Sequence, residues 1–351
     1  ASRSAGAAPE AGLVIDSSGA LYGTTSSGGK GSCGGCGVIF KLTPKGKSYI
    51  ESTLYDFGAS SKDGTVPVAA LTLAGTKLFG VTDGGGGTGT TCTNAPTGCG
   101  TVFEISTKGT GYKVLYDFKG GKDGAAPQSS LTVGTGGVLY GVTANGGGAK
   151  PCPAGCGTAF SLTPKAGKYA ESVLYRFQGT LSSKVIDGEI PTRGRGLYLA
   201  SDGTLVGTTQ AGGTGPCGIL FLGGCGIVFT LTPKGKGYVE GTPYTFQGSS
   251  DAQGPNEELT AGKNGVLYGT GFLAGGGSAC SVGCGAIFAL TPSNSGYKEK
   301  VIYSFQGGKD GALPYDGVTI DKSGKLFGTT YLGGGSTTCG TGCGTVFSVT
   351  P

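Results

Sequence analysis

The chain has 351 residues, of which 77 are Gly, with no His, no Met, 13% charged residues and a net charge of +5. A charge so mild and so dispersed makes no case for a nucleic-acid partner, and no apolar run is long enough for a membrane span. Without His the Ser-His-Asp and Cys-His hydrolytic sets are excluded, and Gly between runs of Val, Leu, Ile, Tyr and Phe reads as the turns of an all-β protein.

In chain order, the first strand of each repeat follows a recurring proline: Pro9, Pro67, Pro127, Pro191, Pro255 and Pro314. Gly12-Leu-Val-Ile-Asp16 and Gly317-Val-Thr-Ile-Asp321 are examples. A tight turn such as Asp16-Ser-Ser-Gly19 leads into a second strand of the LYGTT type, with Asp capping the turn and Gly supplying the positive φ. The centres of the second strands are Gly23, Gly80, Gly141, Gly207, Gly269 and Gly328. A glycine-rich loop with two cysteines follows. The third strand, of the VFKLT type, falls at 38–43, 102–106, 159–163, 228–232, 287–291 and 346–350. A Pro-Lys-Gly-type turn then gives the fourth strand, Leu54-Tyr-Asp-Phe57 and its counterparts ending at Phe118, Phe177, Phe246 and Phe305. Four antiparallel strands repeated six times at about 60 residues predict a six-bladed β-propeller rather than a solenoid. The predicted blades are 7–57, 65–118, 125–177, 189–246, 253–305 and 312–351, in one domain.

The segment LYDFKGGKDGAAPQSSLTVGTGGVLYGVTANGG, closing with CGTAFSLTP, spans residues 115–164. It resembles the repeat of the GloVer-type "choice-of-anchor" tandem-repeat proteins of bacteria, and the resemblance runs through essentially the whole chain. It implies a secreted or surface propeller and no established chemistry. The chain also begins Ala1-Ser-Arg with no Met, as expected of a product from which a secretory signal has been removed.

Fourth strands number five, whereas the other strand types number six. Ala1 to Pro9 aligns without a gap on Lys119 to Pro127, so the sixth blade lacks its fourth, outermost strand. Val346, Phe347, Ser348, Val349 and Thr350 then form a bare edge able to accept another strand. Three readings stand: a strand absent from this sequence, a substitute from Ala1–Gly6, or a strand donated in trans. Donation between copies would be head-to-tail and could build a filament.

The twelve cysteines fall two to a loop with none left over. They predict six local disulfides of an oxidising compartment: Cys33–Cys36, Cys92–Cys99, Cys152–Cys156, Cys217–Cys225, Cys280–Cys284 and Cys339–Cys343. Two thiolates per loop and no His do not make a zinc site. Haem attachment would need C-x-x-C-H, and no cofactor is expected.

Asp63, Asp123, Asp187 and Asp310, with Asp251 a looser match, recur between blades. They read either as Asp-Gly turns or as a carboxylate ring for Ca²⁺ or a cationic ligand. Lys45, Lys47, Lys165, Lys168, Lys234 and Lys236 sit at turns after the third strands, as solvated turn residues or as a basic annulus for acidic polysaccharide. Arg193 and Arg195 lie near Asp187 and Glu189 in sequence and suggest a local ion-pair set. No acidic pair stands out as a glycosidase couple. The leading functional reading is an extracellular structural or adhesive propeller at the cell surface that assembles with its own copies. The alternative is a monomeric carbohydrate- or ligand-binding module working through the cysteine-loop face, with surface polysaccharide as partner. An enzyme acting on a polysaccharide or lactone comes third.

Overall fold

The computed structural model describes residues 6–86, 92, 98–150, 152–180, 187–191, 196–217, 223–249, 251–257, 259–275, 280, 283–294, 296–335, 339 and 342–351. The chain is a six-bladed β-propeller, one antiparallel sheet to each sequence repeat. Contacts divide it into two compact units, the first three blades in one and the last three in the other.

In the first unit, blade 1 runs Val14–Ile15, Leu21–Thr25, Val38–Lys45 and Ser48–Asp56, hydrogen-bonded in that order. Blade 2 runs Thr72–Ala74, Lys77–Thr82, Thr101–Ser106 and Lys113–Asp117, and blade 3 runs Thr132–Val133, Leu139–Thr143, Thr158–Lys165 and Lys168–Arg176. In the second unit, blade 4 consists of Tyr198–Leu199, Leu205–Gly212, Ile227–Lys234 and Gly237–Thr245, with Gly188–Pro191 added as a fifth strand against the far end of Leu205–Gly212. Blade 5 consists of Thr260–Ala261, Leu267–Ala274, Ala286–Ser293 and Gly296–Ser304, with Ala252–Pro255 added in the same way. Among the described residues blade 6 has three strands, Thr319–Ile320, Leu326–Thr330 and Thr345–Val349.

The central glycine of each second strand exists for a ring. Gly269 faces Phe288 across the strand pair, and a Cβ on it would stand 2.5 Å from Phe288 Cζ and 3.0 Å from Leu259 Cδ2. Gly80 and Phe103, Gly141 and Phe160, and Gly207 and Phe229 repeat the arrangement. The seated ring then meets the phenylalanine closing the previous blade, edge to face. Centroids are 5.2 Å apart for Phe57–Phe103, 5.1 Å for Phe118–Phe160 and 5.1 Å for Phe246–Phe288. A first-strand Leu, a missing Cβ and two phenyl rings are thus the repeated core unit, close to the geometry aromatic pairs prefer.

The fourth strands start earlier than the sequence reading places them. Pro44 lies inside the third strand opposite Tyr49, and the hairpin narrows to Gly46 and Lys47 between the paired Lys45 and Ser48. Beyond Leu42 the third strand pairs only with the fourth. On that edge side a proline removes no ladder bond. The six hairpin lysines are exposed. Leu54 is the extra residue of a bulge between the Ile39–Tyr55 and Phe40–Thr53 pairs, and blades 2 to 5 bulge at the matching place. The Asp16 turn forms as read: its carboxylate accepts from Ser18 N, Ala20 N, Ser18 Oγ and Tyr22 Oη, with Gly19 at φ +81°.

Candidate functional site

The cysteine loops of blades 1, 2, 4 and 5 hold the segment entering the next blade. Described disulfides are Cys33–Cys36, Cys92–Cys99, Cys217–Cys225, Cys280–Cys284 and Cys339–Cys343, and Cys152 and Cys156 are also disulfide-bonded. The carbonyl of the second cysteine accepts the N–H of the residue before the recurring proline. Val66 N donates to Cys36 O at 2.9 Å, Ala126 N to Cys99 O at 2.9 Å, Gly254 N to Cys225 O at 3.0 Å and Leu313 N to Cys284 O at 2.8 Å. The glycine after that cysteine is the seat of the next proline ring: a Cβ on Gly285 would come 2.4 Å from Pro314 Cδ.

The residue before each recurring proline is left-handed in every blade. Ala8, Val66, Ala126, Ile190 and Leu313 have φ between +54° and +58°, and Gly254 has +59°. A β-branched residue in that region costs about 1–3 kcal/mol and persists only where its surroundings over-determine it. Here the latch is that surrounding, and it fixes where the residue after the proline points.

The recurring aspartates belong to the same junction as internal acceptors. Asp63 Oδ2 accepts from Tyr55 Oη, Gly58 N and Ala59 N at 2.9, 2.9 and 3.0 Å, while Oδ1 accepts from Gly64 N and Tyr112 Oη at 2.8 and 2.6 Å. Asp123 takes Tyr116 Oη and Lys119 N, Asp251 takes Tyr244 Oη, Gln247 N and Ala252 N, and Asp310 takes Tyr303 Oη and Gln306 N. Asp187 accepts from Gln178 N and Gly188 N. This is the turn reading strengthened by a tyrosine. The carboxylates are spent inside the frame, and among the described residues no group of three or more His, Cys, Asp and Glu could hold a metal ion. A carboxyl from the next blade packs near some of them. Burial, then Asp251, pushes Glu299 up to about 8, and burial, then Asp123, pushes Glu171 up to about 7. Arg193 and Arg195 lie outside the described residues. Glu189 is buried and accepts from Thr180 N.

Two positions per blade break the repeat. One follows the proline (Glu10, Val68, Gln128, Thr192, Asn256, Tyr315, of which Thr192 lies outside the described residues) and one follows the second-strand core (Ser26, Asp83, Ala144, Gln210, Phe272, Tyr331). The structure brings the two sets together. In the first unit Ser26 Oγ donates to Glu10 Oε1 at 2.6 Å and Gln128 Nε2 to Asp83 Oδ1 at 2.7 Å.

In the second unit Gln210 Nε2 donates to Asn256 Oδ1, and Asn256 Nδ2 donates to Tyr315 O at 3.2 Å. Thr270 Oγ1 donates to Asp316 O at 3.0 Å, so the backbone is held on both sides of the Tyr315–Asp316 peptide. Phe272 stacks on Tyr315 with centroids 5.3 Å apart at 17°, and Tyr315 meets Tyr331 at 5.5 Å and 90°. Tyr315 is 41% exposed and Tyr331 66%. This cluster escaped a reading guided by what recurs, because its residues differ from blade to blade.

The family model of the Gloeobacter/Verrucomicrobia repeat matches residues 1–221 and 88–270. No curated protein matches the chain. Among solved structures it is similar to a candidate 6-phosphogluconolactonase from Bacteroides uniformis, at 13% identity and a TM-score of 0.54, over 93% of this chain and 79% of that one. It is also similar to a protein of unknown function from Dyadobacter fermentans, at 12% identity and a TM-score of 0.53, over 92% and 89% of the two chains. Both likenesses are of fold alone.

Proposed function

Because the chain belongs to the Gloeobacter/Verrucomicrobia repeat family and folds as a six-bladed propeller, we propose that it is an extracellular binding propeller. Its framework would be one disulfide-latched domain, and its site the non-repeated side chains on the cysteine-loop side of the second unit. The observation that carries this is the contrast among tyrosines. Tyr55, Tyr116, Tyr244 and Tyr303 donate their hydroxyls to junction aspartates. Tyr315 and Tyr331 are exposed, and neither hydroxyl has a partner among the described residues. Exposed aromatics fixed by a rigid scaffold are what binding surfaces are built from. Disulfides fit an oxidising, extracellular setting, and attachment at the cell surface, of the choice-of-anchor kind, belongs to the same proposal. With no His in the chain, acid–base catalysis would fall to carboxyls, and the recurring ones are engaged in the frame. The reading is therefore one of binding. The test is retention on immobilised neutral, acidic and cationic polymers, comparing the chain with Tyr315→Ala/Tyr331→Ala. Saturable retention lost in the variant supports the site, and equal retention of both proteins removes it.

A second reading, an assembling structural or adhesive scaffold, has its own observation. Val346 is 83% exposed, whereas its counterparts Ile39, Val102, Ala159, Val228 and Ile287 are fully buried. In blade 1, Leu13 is 41% exposed, whereas Leu71, Leu131, Leu197, Leu259 and Val318 are buried. The strand Thr345–Val349 has no fourth-strand partner among the described residues. Gly6–Ala7 pairs with Ser27–Gly28 of blade 1, so that part of the Ala1–Gly6 segment is not the substitute strand. Residues 1–5 lie outside the described residues. Sharing of an edge strand between copies would join them head-to-tail. Sedimentation over a range of concentrations tests it: mass that grows with concentration and stops growing in Val346→Lys supports assembly, and a monomer throughout sinks it.

A further inference from the structure

We propose that the Tyr315–Tyr331 corner binds a neutral glycan, one pyranose ring stacking on an exposed tyrosine face while its hydroxyls are read by the phenols and Gln210. The inference rests on the binding reading above and supplies its ligand class. Three features carry it.

Geometry comes first. Two rings at 90° and 5.5 Å give a floor and a wall, and the third ring, Phe272, lies nearly parallel to Tyr315. The corner is held in advance of any ligand. Asn256 Nδ2 grips Tyr315 O, and Tyr331 N donates at 3.0 Å to the carbonyl of Leu313, which is itself locked at φ +56°. Little conformational freedom is left to lose on binding.

Hydrogen-bonding capacity comes second. Each phenol can both donate and accept, and both are unpartnered among the described residues. Gln210 uses an Nε2 hydrogen on Asn256, while its Oε1 accepts no described hydrogen bond. Donors and acceptors mixed at one place match hydroxyl groups, which are also both. A carboxylate or phosphate ligand would want donors only.

Charge comes third. The ionisable residues adjoining the cluster in sequence are acidic: Glu257 follows Asn256 and Asp316 follows Tyr315. An anionic polymer would meet no cationic side chain among the residues adjoining the cluster in sequence. A quaternary ammonium ion is best held among several aromatic faces, and here one of the three rings already lies against another.

The experiment uses the full oxidised chain and a biosensor carrying β-glucan, mannan, xylan, polygalacturonate and a choline-bearing support. The proposal expects saturable binding to at least one of the three neutral polymers. That binding should weaken about tenfold or more in Tyr331→Ala, the size expected when a central aromatic anchor is truncated. Tyr331→Phe should keep most of it, because the stacking face survives. Circular dichroism of the variants guards against misfolding, which is not expected at so exposed a residue. No binding to any neutral polymer overturns the glycan assignment. If the choline support is then bound and binding falls in Tyr331→Ala, the site stands with a different ligand class. Neutral-polymer binding that is indifferent to Tyr315→Ala and Tyr331→Ala overturns the inference and the site together.

Discussion

Replacing Gly269 by Ala tests whether the second-strand glycine is there for the phenyl ring. The added Cβ would sit 2.5 Å from Phe288 Cζ, 3.0 Å from Phe288 Cε2 and 3.0 Å from Leu259 Cδ2. The ring cannot simply retreat, because its other side meets Phe246 at 5.1 Å. Relief needs a shift of roughly 1 Å in a packed interior, and overpacking of this kind costs about 1–3 kcal/mol. Gly237→Ala is the matched control: it lies in the fourth strand of the blade before, with nothing within 4 Å of the added Cβ and no positive φ. There, loss of glycine's freedom in the unfolded chain should stabilise by about 0.5–1 kcal/mol. The two variants should thus differ by about 1.5–4 kcal/mol, or roughly 2–5 °C in Tm for cooperative unfolding at this chain length. Differential scanning calorimetry without reductant measures it. A Gly269→Ala protein melting at or above Gly237→Ala would refute the reasoning. Adding Phe288→Leu should give back part of the loss, because the two substitutions act on one contact.

Glu299 gives a pH dependence of definite sign. Its folded value, about 8, lies above the ordinary glutamate value of 4.5, so between these values the native state holds the extra proton and stability falls as pH rises. Discounted for partial exposure, the loss is on the order of 1–2 kcal/mol. Urea unfolding should show Glu299→Gln gaining on the unsubstituted chain from pH 5 to pH 9, and a constant difference would remove the claim. Removing the Cys217–Cys225 bridge by double Ser substitution should cost about 2.5 kcal/mol on chain entropy for a separation of 8. In the same variant the Gly254 amide, which donates to Cys225 O, should exchange with deuterium markedly faster. Asp251→Ala strands Tyr244 Oη and the Gln247 and Ala252 amides, and calorimetry should find about 1–3 kcal/mol lost.

Much of the frame can be read directly from the sequence. Six copies of one pattern give the strand count, and Gly in the middle of LYGTT signals a close approach even before Phe288 is seen to make it. The fourth strand is harder. Tyr49 and Ile50 are half exposed, so the early half of that strand shows no buried alternation, and Pro44 imitates a turn. Asp251 accepts the nearby Gln247 and Ala252 amides, a local pattern that sequence suggests, but its bond to Tyr244 is made by a side chain and only the spacing of 7 hints at it. The candidate site is hardest of all. Gln210, Asn256, Phe272, Tyr315 and Tyr331 belong to no motif, and an eye trained on repetition passes over them. The available signal was the reverse one: columns where six otherwise matching repeats disagree.

The latch between blades is made of main-chain groups, a disulfide, a glycine and a proline. None of the side chains that differ among blades takes part in it. Form is therefore written mainly on residues that recur, and vocabulary mainly on residues that do not. The position after each proline and the position after each second strand behave as exchangeable letters in a fixed grid. Swapping the Tyr331 letter for the Gln210 letter should alter what the surface recognises and leave the blade that carries it folded. A lineage of such proteins could thus try new ligands one blade at a time without reopening the problem of how to fold.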